Sequence, residues 1–297
     1  MMEPVLRVDS ESGNPCEGHV RFSLPKAAWV LGMLIAALVI CPLTYSNQAL
    51  WLYLCTAYLS LLIGHSVGLH RMMIHRSFKA PKAVERLLIY AGVLVGMAGP
   101  FGTIKIHDVR DWAQRQKACH PFFSHEMPFF SDLWWQLTSV FVFDNPPKIV
   151  IERRFSDDVF YRFLERTWRW HQLLLAIVLY AAGGVSFVAW GVCARVATGV
   201  IGHWTITYFC HNPGPGKWRV RGASVQASNI PGLGVLTYGE CWHNNHHAFP
   251  ESARIGLEPG QCDPSWRFIQ MMERLGIASD VGQPRPENER EDLMLSH

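Results

Sequence analysis

Nearly half of the 297 residues are hydrophobic (49%) and only 17% are charged, a balance that points to a membrane protein and away from an ordinary soluble chain. The formal charge of +3 is small, and its Lys and Arg sit between apolar runs, which fits the positive-inside rule and leaves no basic stripe for nucleic acid. Eight cysteines lie scattered without CxxC or CxC spacing, so neither a disulfide framework nor a zinc finger follows.

Residues 1–26 are polar and mildly acidic, carry no removable signal, and are expected to form a cytosolic N-terminal segment. From Ala27 to about Tyr45 the chain is almost uninterruptedly apolar, and after Ser46 to Gln48 a second run extends from Ala49 to Gly68. Each is long enough to cross about 30 Å of hydrocarbon as a helix. Their connection carries no Lys or Arg, whereas Arg71 to Arg169 is rich in both, which puts the connection outside and the long middle segment in the cytosol. The second run leads straight into His70 and His75, which emerge where a helix leaves the membrane and read as metal ligands. His65, alone within the apolar run, reads instead as an interior, hydrogen-bonded histidine. The apolar stretch from Leu87 to Gly99 is too short to cross easily and is expected at the interface or re-entering it.

From His107 to His125 the chain reads HDVRDWAQRQKACHPFFSH, a charged and aromatic stretch whose three histidines, His107, His120 and His125, form a third ligand region. Phe129, Phe130, Trp134, Trp135 and Phe141 suit either the headgroup level or an ordinary core. Two further apolar runs, about His171 to Trp190 and about Val192 to Cys210, predict two more spans joined by a tight hairpin. Arg195 would cost about 2.5 to 3.5 kcal/mol at a helix centre, and near the outer end of its span it is expected to snorkel. His211 follows at the cytosolic end, where Asn212-Pro213-Gly214-Pro215-Gly216 stops the helix.

Gly239 to His247 holds three imidazoles, His243, His246 and His247. On a helix the first lies about one turn from the other two, which are roughly 100° apart, so one face can serve two ions. Imidazole suits iron, zinc, copper or nickel and disfavours calcium and magnesium. The tail from Gln283 is Pro- and Glu-rich and is expected to be disordered. The expected fold is an all-α polytopic membrane protein. Four transmembrane helices within a 27–282 domain are capped by a cytosolic helical metal-binding part, in a bacterial inner membrane with the metal site on the cytosolic side.

With these boxes placed, the chain resembles the membrane fatty-acid desaturases, specifically their acyl-CoA branch, from roughly Ala27 to Asp280. His70-Arg71 through His75-Arg76-Ser77-Phe78 is similar to the first box, HxxxxH followed by Arg and an aromatic. His243-Asn244-Asn245-His246-His247 with Phe249-Pro250 is similar to the last, and His211 falls where the family has a further histidine ligand. The middle box departs: with Trp112 as anchor, the three histidine positions of the family's HRxHH hold Gln116, Cys119 and His120. His107 and His125, in the same polar segment, restore nine imidazoles and suggest a displaced ligand set, with Cys119 ranked below them. Asp108, Arg110 and Asp111 are placed to orient His107.

The resemblance implies insertion of a cis double bond into a saturated acyl chain by two irons, with dioxygen as co-substrate and the histidines as ligands rather than acid–base catalysts. It also implies a fatty acyl-CoA or acyl-lipid substrate, surrounding membrane lipid, and an external electron donor, a reductase with a ferredoxin or cytochrome b5-like carrier. The chain itself has neither a dinucleotide fingerprint nor a CxxCH haem site. A diiron lipid or alkyl hydroxylase is the alternative. A metal transporter would need polar ligands along a path through the bilayer, whereas these boxes sit at one edge.

Overall fold

Long apolar runs dictate helices, because only a helix satisfies every backbone polar group within its own segment when surrounded by hydrocarbon. The computed structural model describes residues 5–9, 11–286 and 289–296. It is mostly helical, and three helices are long and apolar enough to cross a membrane: Leu24–Leu43 (α1), Asn47–Ile74 (α2) and Val159–Cys210. Leu38, Leu43, Trp51, Leu174, Ile177 and Tyr180 on these helices point outward and are more than half exposed, the outer face of a protein solvated by lipid.

The second half of α2, Ser60–Ile74, winds with i→i+5 hydrogen bonds instead of i→i+4. Along its other side it meets α3 (Lys82–Val93) at glycine contacts: a Cβ on Gly64 would lie 2.3 Å from the Ala91 backbone, and one on Gly68 2.6 Å from the Leu88 carbonyl. Leu88, Ile89 and Val93 are buried, while Leu87 faces out. Then come α4 (Pro100–Arg115), the single turn α5 (Pro121–Ser124) and α6 (Phe129–Thr138).

The Val159–Cys210 helix, α7, doubles back on itself. Gly183 and Gly184 leave helical geometry, and the φ of +64° at Gly184 is one that glycine adopts without a Cβ penalty. Beyond them Gly191 lies against Leu179, and the Arg195 guanidinium reaches Gln172 Oε1 at 2.5 Å. The turn therefore lies at Gly183–Gly184 and not near Gly191, because backbone freedom decides the site and the apolar composition is continuous across it. Arg195 does not snorkel: it is buried and donates to Gln172 and to the Gly191 carbonyl (2.8 Å), while its Nη1 is buried without a partner.

Two small sheets depart from the all-α expectation. Strand β1 (Gly18–Phe22) pairs antiparallel with β2 (Ser139–Phe143), Gly18 opposite Phe143, and β3 (Trp218–Val220) pairs antiparallel with β4 (Leu293–Leu295). Such short strands give too few alternations to reveal a period of two. The β3–β4 pairing also ties down part of the tail that was expected to be disordered. The remaining helices, α8 (His243–Ala248) and α9 (Pro264–Arg274), lie at the end of α2. There Met72, Met73, Ile74 and Phe78 pack with Trp266, Ile269 and Met272. Arg71 fastens this layer, pairing with Asp263 at 2.9 Å and donating to the Ala253 carbonyl at 2.8 Å.

Candidate metal centre

His75 lies five positions after His70, which on an α-helix would set them about 140° apart. The i→i+5 ladder removes that offset: His75 N–H donates to the His70 carbonyl at 3.0 Å, and the two rings stand edge to face with centroids 4.8 Å apart. From α4, His107 brings its Nε2 to 3.2 Å from His75 Nε2. His246 of α8 closes the set, 4.4 Å from the His75 ring and 4.6 Å from the His70 ring. One ligand atom from each of His70, His75, His107 and His246 lies within 4.8 Å of the others.

The same criterion gathers His211, His243 and His247. His247 Nε2 is 3.1 Å from His243 Nε2 and 3.4 Å from His211 Nε2. Helix α8 thus divides its imidazoles, His246 to one group and His243 and His247 to the other. It is clamped by its asparagines. Asn244 accepts from the Lys217 and Trp218 N–H groups and donates to the Trp218 and Ala227 carbonyls, while Asn245 donates to the Ile255 carbonyl and Gln261.

His125 stands beside the second group, its ring stacked at 25° and 5.7 Å from His211. It sits in the left-handed region (φ 61°) at the end of α5. Its Nδ1 donates to Asp132 at 3.0 Å, and its Nε2 is buried without a partner. Asp132, fully buried, also accepts from Trp204 Nε1 at 2.7 Å, so Trp204 anchors a carboxylate. His120 is brought to neither group. Its Nδ1 accepts from the Phe122 N–H to cap α5, and its ring lies 4.7 Å from Phe141, because Pro121 starts the turn there and directs the side chain back onto it. Cys119 is 3.7 Å from the Ser224 hydroxyl, outside both groups, and burial pushes its thiol up, away from the thiolate a metal needs.

The outer nitrogens explain why the inner ones are available. His70 Nδ1 meets Glu240 Oε2 at 2.8 Å, His107 Nδ1 meets Asp108 Oδ1 at 3.1 Å, and His211 Nδ1 donates to the Thr207 carbonyl at 2.6 Å. With the proton held on Nδ1, each Nε2 presents a lone pair inward, as a metal ligand must. Arg7 braces this outer layer, reaching Asp108 at 2.9 Å, Glu152 at 2.7 Å and the Met73 and Ile74 carbonyls at the end of α2. Burial, then the neighbouring imidazoles, holds His75, His246 and His247 well below the usual histidine range, and burial, partly offset by Asp111, brings His243 down to about 4. His107 is the exception: burial lowers it, but Asp111 and Asp108 more than offset this and its pKa is raised. The chemistry of the donors fits iron: neutral, lone-pair-bearing imidazoles in two adjacent sets, with unpartnered ring nitrogens on His125 and His246.

Sequence reasoning missed Glu240, Asp132 and Arg7. The first stands three residues before a ligand, but the other two act across long stretches of chain that no local pattern joins. His65, expected to be hydrogen-bonded, has a buried Nδ1 without a partner and meets His203 edge-on at 5.5 Å.

Residues 46–255 match the fatty acid desaturase family model, and the chain belongs to that family, whose members are membrane oxidoreductases of fatty-acid metabolism that use non-haem iron. It is similar to acyl-CoA 5-desaturase AL21 of Anemone leveillei, 33% identical over 253 residues that cover 84% of this chain and 76% of that protein. It is 35% identical to Delta-9 acyl-lipid desaturase 2 of Arabidopsis thaliana over 230 residues (75% and 71%). To the sn-1 stearoyl-lipid 9-desaturase of Anabaena variabilis it is 32% identical over 269 residues (86% and 94%).

Proposed function

We propose that the protein is an oxygen-dependent desaturase that inserts a cis double bond into a saturated acyl chain, carried on CoA in our reading, with two irons as its metal centre. The observation that carries this is the pair of histidine groups meeting at α8. His70, His75, His107 and His246 would hold one iron, and His211, His243, His247 and His125 the other. Bound iron with dioxygen supplies the oxidising power that no side chain has for an unactivated C–H bond. In balance, one CH2–CH2 unit, one dioxygen, two external electrons and two protons give one CH=CH unit and two waters. The residues' own tasks are to present unprotonated Nε2 atoms, to hold Nδ1 protons on Glu240, Asp108, Asp132 and Thr207, and to keep water out of a buried site.

The acyl-CoA reading draws support from the Anemone leveillei relative, while the other two relatives above are named for lipid-linked chains. The electrons come from a separate reductase through a ferredoxin or cytochrome b5-like carrier. We further propose four membrane crossings, α1, α2 and the two arms of α7, with both termini and the metal centre on the cytosolic side. The apolar outer faces and the Gly183–Gly184 reversal support this arrangement. The test is expression in a host lacking endogenous desaturation, with fatty acids analysed by mass spectrometry after derivatisation of double bonds. A new monounsaturated acid that disappears in His246→Ala is expected. A hydroxylated acid in its place, or no product from iron-loaded protein supplied with electrons, would overturn the reading.

A further inference from the structure

Four carboxylates surround the two histidine groups, and three have clear partners. Glu240 takes His70 and Arg71, Asp108 takes His107 and Arg7, and Asp132 takes His125 and Trp204. The fourth, Asp111, makes no side-chain hydrogen bond among the described residues. It lies one helical turn beyond His107 on α4, so the two side chains share a face. There its Oδ2 comes within 3.9 Å of His107 Nε2, the nitrogen that faces the first group and not the one Asp108 holds. Asp111 therefore sits beside the first group, next to a ring nitrogen that faces it.

We propose that Asp111 supplies a carboxylate oxygen to the metal centre beside His107, making it a mixed imidazole–carboxylate site. The proposal rests on the reading that the two groups hold metal. Its physical reason is charge. Two divalent ions among neutral imidazoles place four positive charges in a buried space whose Asp108 and Glu240 carboxylates are already paired with Arg7 and Arg71, and a further anionic ligand offsets part of that charge. An otherwise unpaired, largely buried carboxylate gains by the same contact.

The test uses the full chain purified in detergent, stripped with a chelator and titrated anaerobically with Fe(II) and separately with Co(II). Metal content is read by elemental analysis and ligand type by the Co(II) ligand-field absorption. Wild type should bind two equivalents. Asp111→Asn, which keeps the shape but not the charge, should weaken one equivalent at least tenfold and shift the Co(II) bands. Asp111→His should keep two equivalents with a spectrum moved toward all-nitrogen coordination. Thermal unfolding of the metal-free variants, unchanged from wild type, separates a lost ligand from a lost fold. Two equivalents of wild-type affinity and an unaltered Co(II) spectrum in both variants would overturn the assignment of Asp111. Failure of wild type itself to bind metal would instead bring down the functional reading beneath it.

Discussion

Asp132 offers the sharpest test of how the second histidine group is organised. Both groups it faces, Trp204 Nε1 and His125 Nδ1, are donors, at 2.7 and 3.0 Å. Indole nitrogen can only donate, so in Asp132→Asn the amide oxygen must stay with Trp204 and the NH2 group must face His125. His125 then has to accept at Nδ1 and carry its proton on Nε2, which removes the lone pair from that buried, unpartnered nitrogen. A hydrogen bond to a charged acceptor contributes about 1.5–3 kcal/mol, and partners of this kind behind a metal ligand typically change affinity about 10–100-fold. We expect Asp132→Asn to lower iron affinity in the second group by that factor and to reduce product formation in proportion, with the first group still loaded. Iron titration followed by elemental analysis and product assay checks both. Wild-type iron affinity and wild-type turnover in Asp132→Asn would refute the claim that the Asp132 carboxylate sets the His125 tautomer.

Because α8 serves both groups, His246→Ala and His247→Ala should each lose about one of two irons, and a variant that kept two would contradict the partition. His120→Ala and Cys119→Ser should retain full iron content, since neither side chain is near a group; loss of metal in either would restore it as a ligand. For the metal-free protein, the folded pKa of His243 is about 4, while the unfolded value is about 6.5. The unfolded chain therefore binds more protons in that window. Stability is full above about pH 6.5 and falls toward pH 4, by about 1.4 kcal/mol per pH unit for such a group, with His107 opposing the trend. Denaturation midpoints from pH 7 to 5 that stay level would reject this. Gly64→Ala should destabilise the α2–α3 contact by about 1–3 kcal/mol, because the new methyl meets backbone and not a movable side chain. Unchanged thermal stability would show that α3 can yield.

The membrane helices and most of the histidines were legible because apolar run length and imidazole spacing are local. That α8 could serve two ions was legible from 3.6 residues per turn, whereas the assignment of His246 to one group and of His243 and His247 to the other was not. The first box was legible as a motif but not as geometry, since nothing in Ser60–Ile74 announces the i→i+5 winding that brings His70 and His75 together. In the middle segment Trp112 served as the anchor. It is buried with Ala113 and Phe123, in a small cluster of its own, and so reports packing and not the register of the ligands. Begun at His107, the same HRxHH spacing runs through Arg110 to Asp111. Asp132, Glu240 and Arg7 act between segments far apart in the chain, and only the folded structure brings those together.

The clamping of α8 has a mechanical consequence. Its six residues contribute to both histidine groups, and Asn244 and Asn245 pin it to neighbouring backbone outside the membrane helices. The offset between its contributions is therefore a fixed pitch, about 1.5 Å of rise per residue. Bilayer thickening or helix tilting can shift α1 and the first arm of α7 without stretching that gauge. In a protein embedded in lipid, the spacing between the α8 contributions to the two histidine groups would thus stay constant while the surrounding lipid changes its thickness and order.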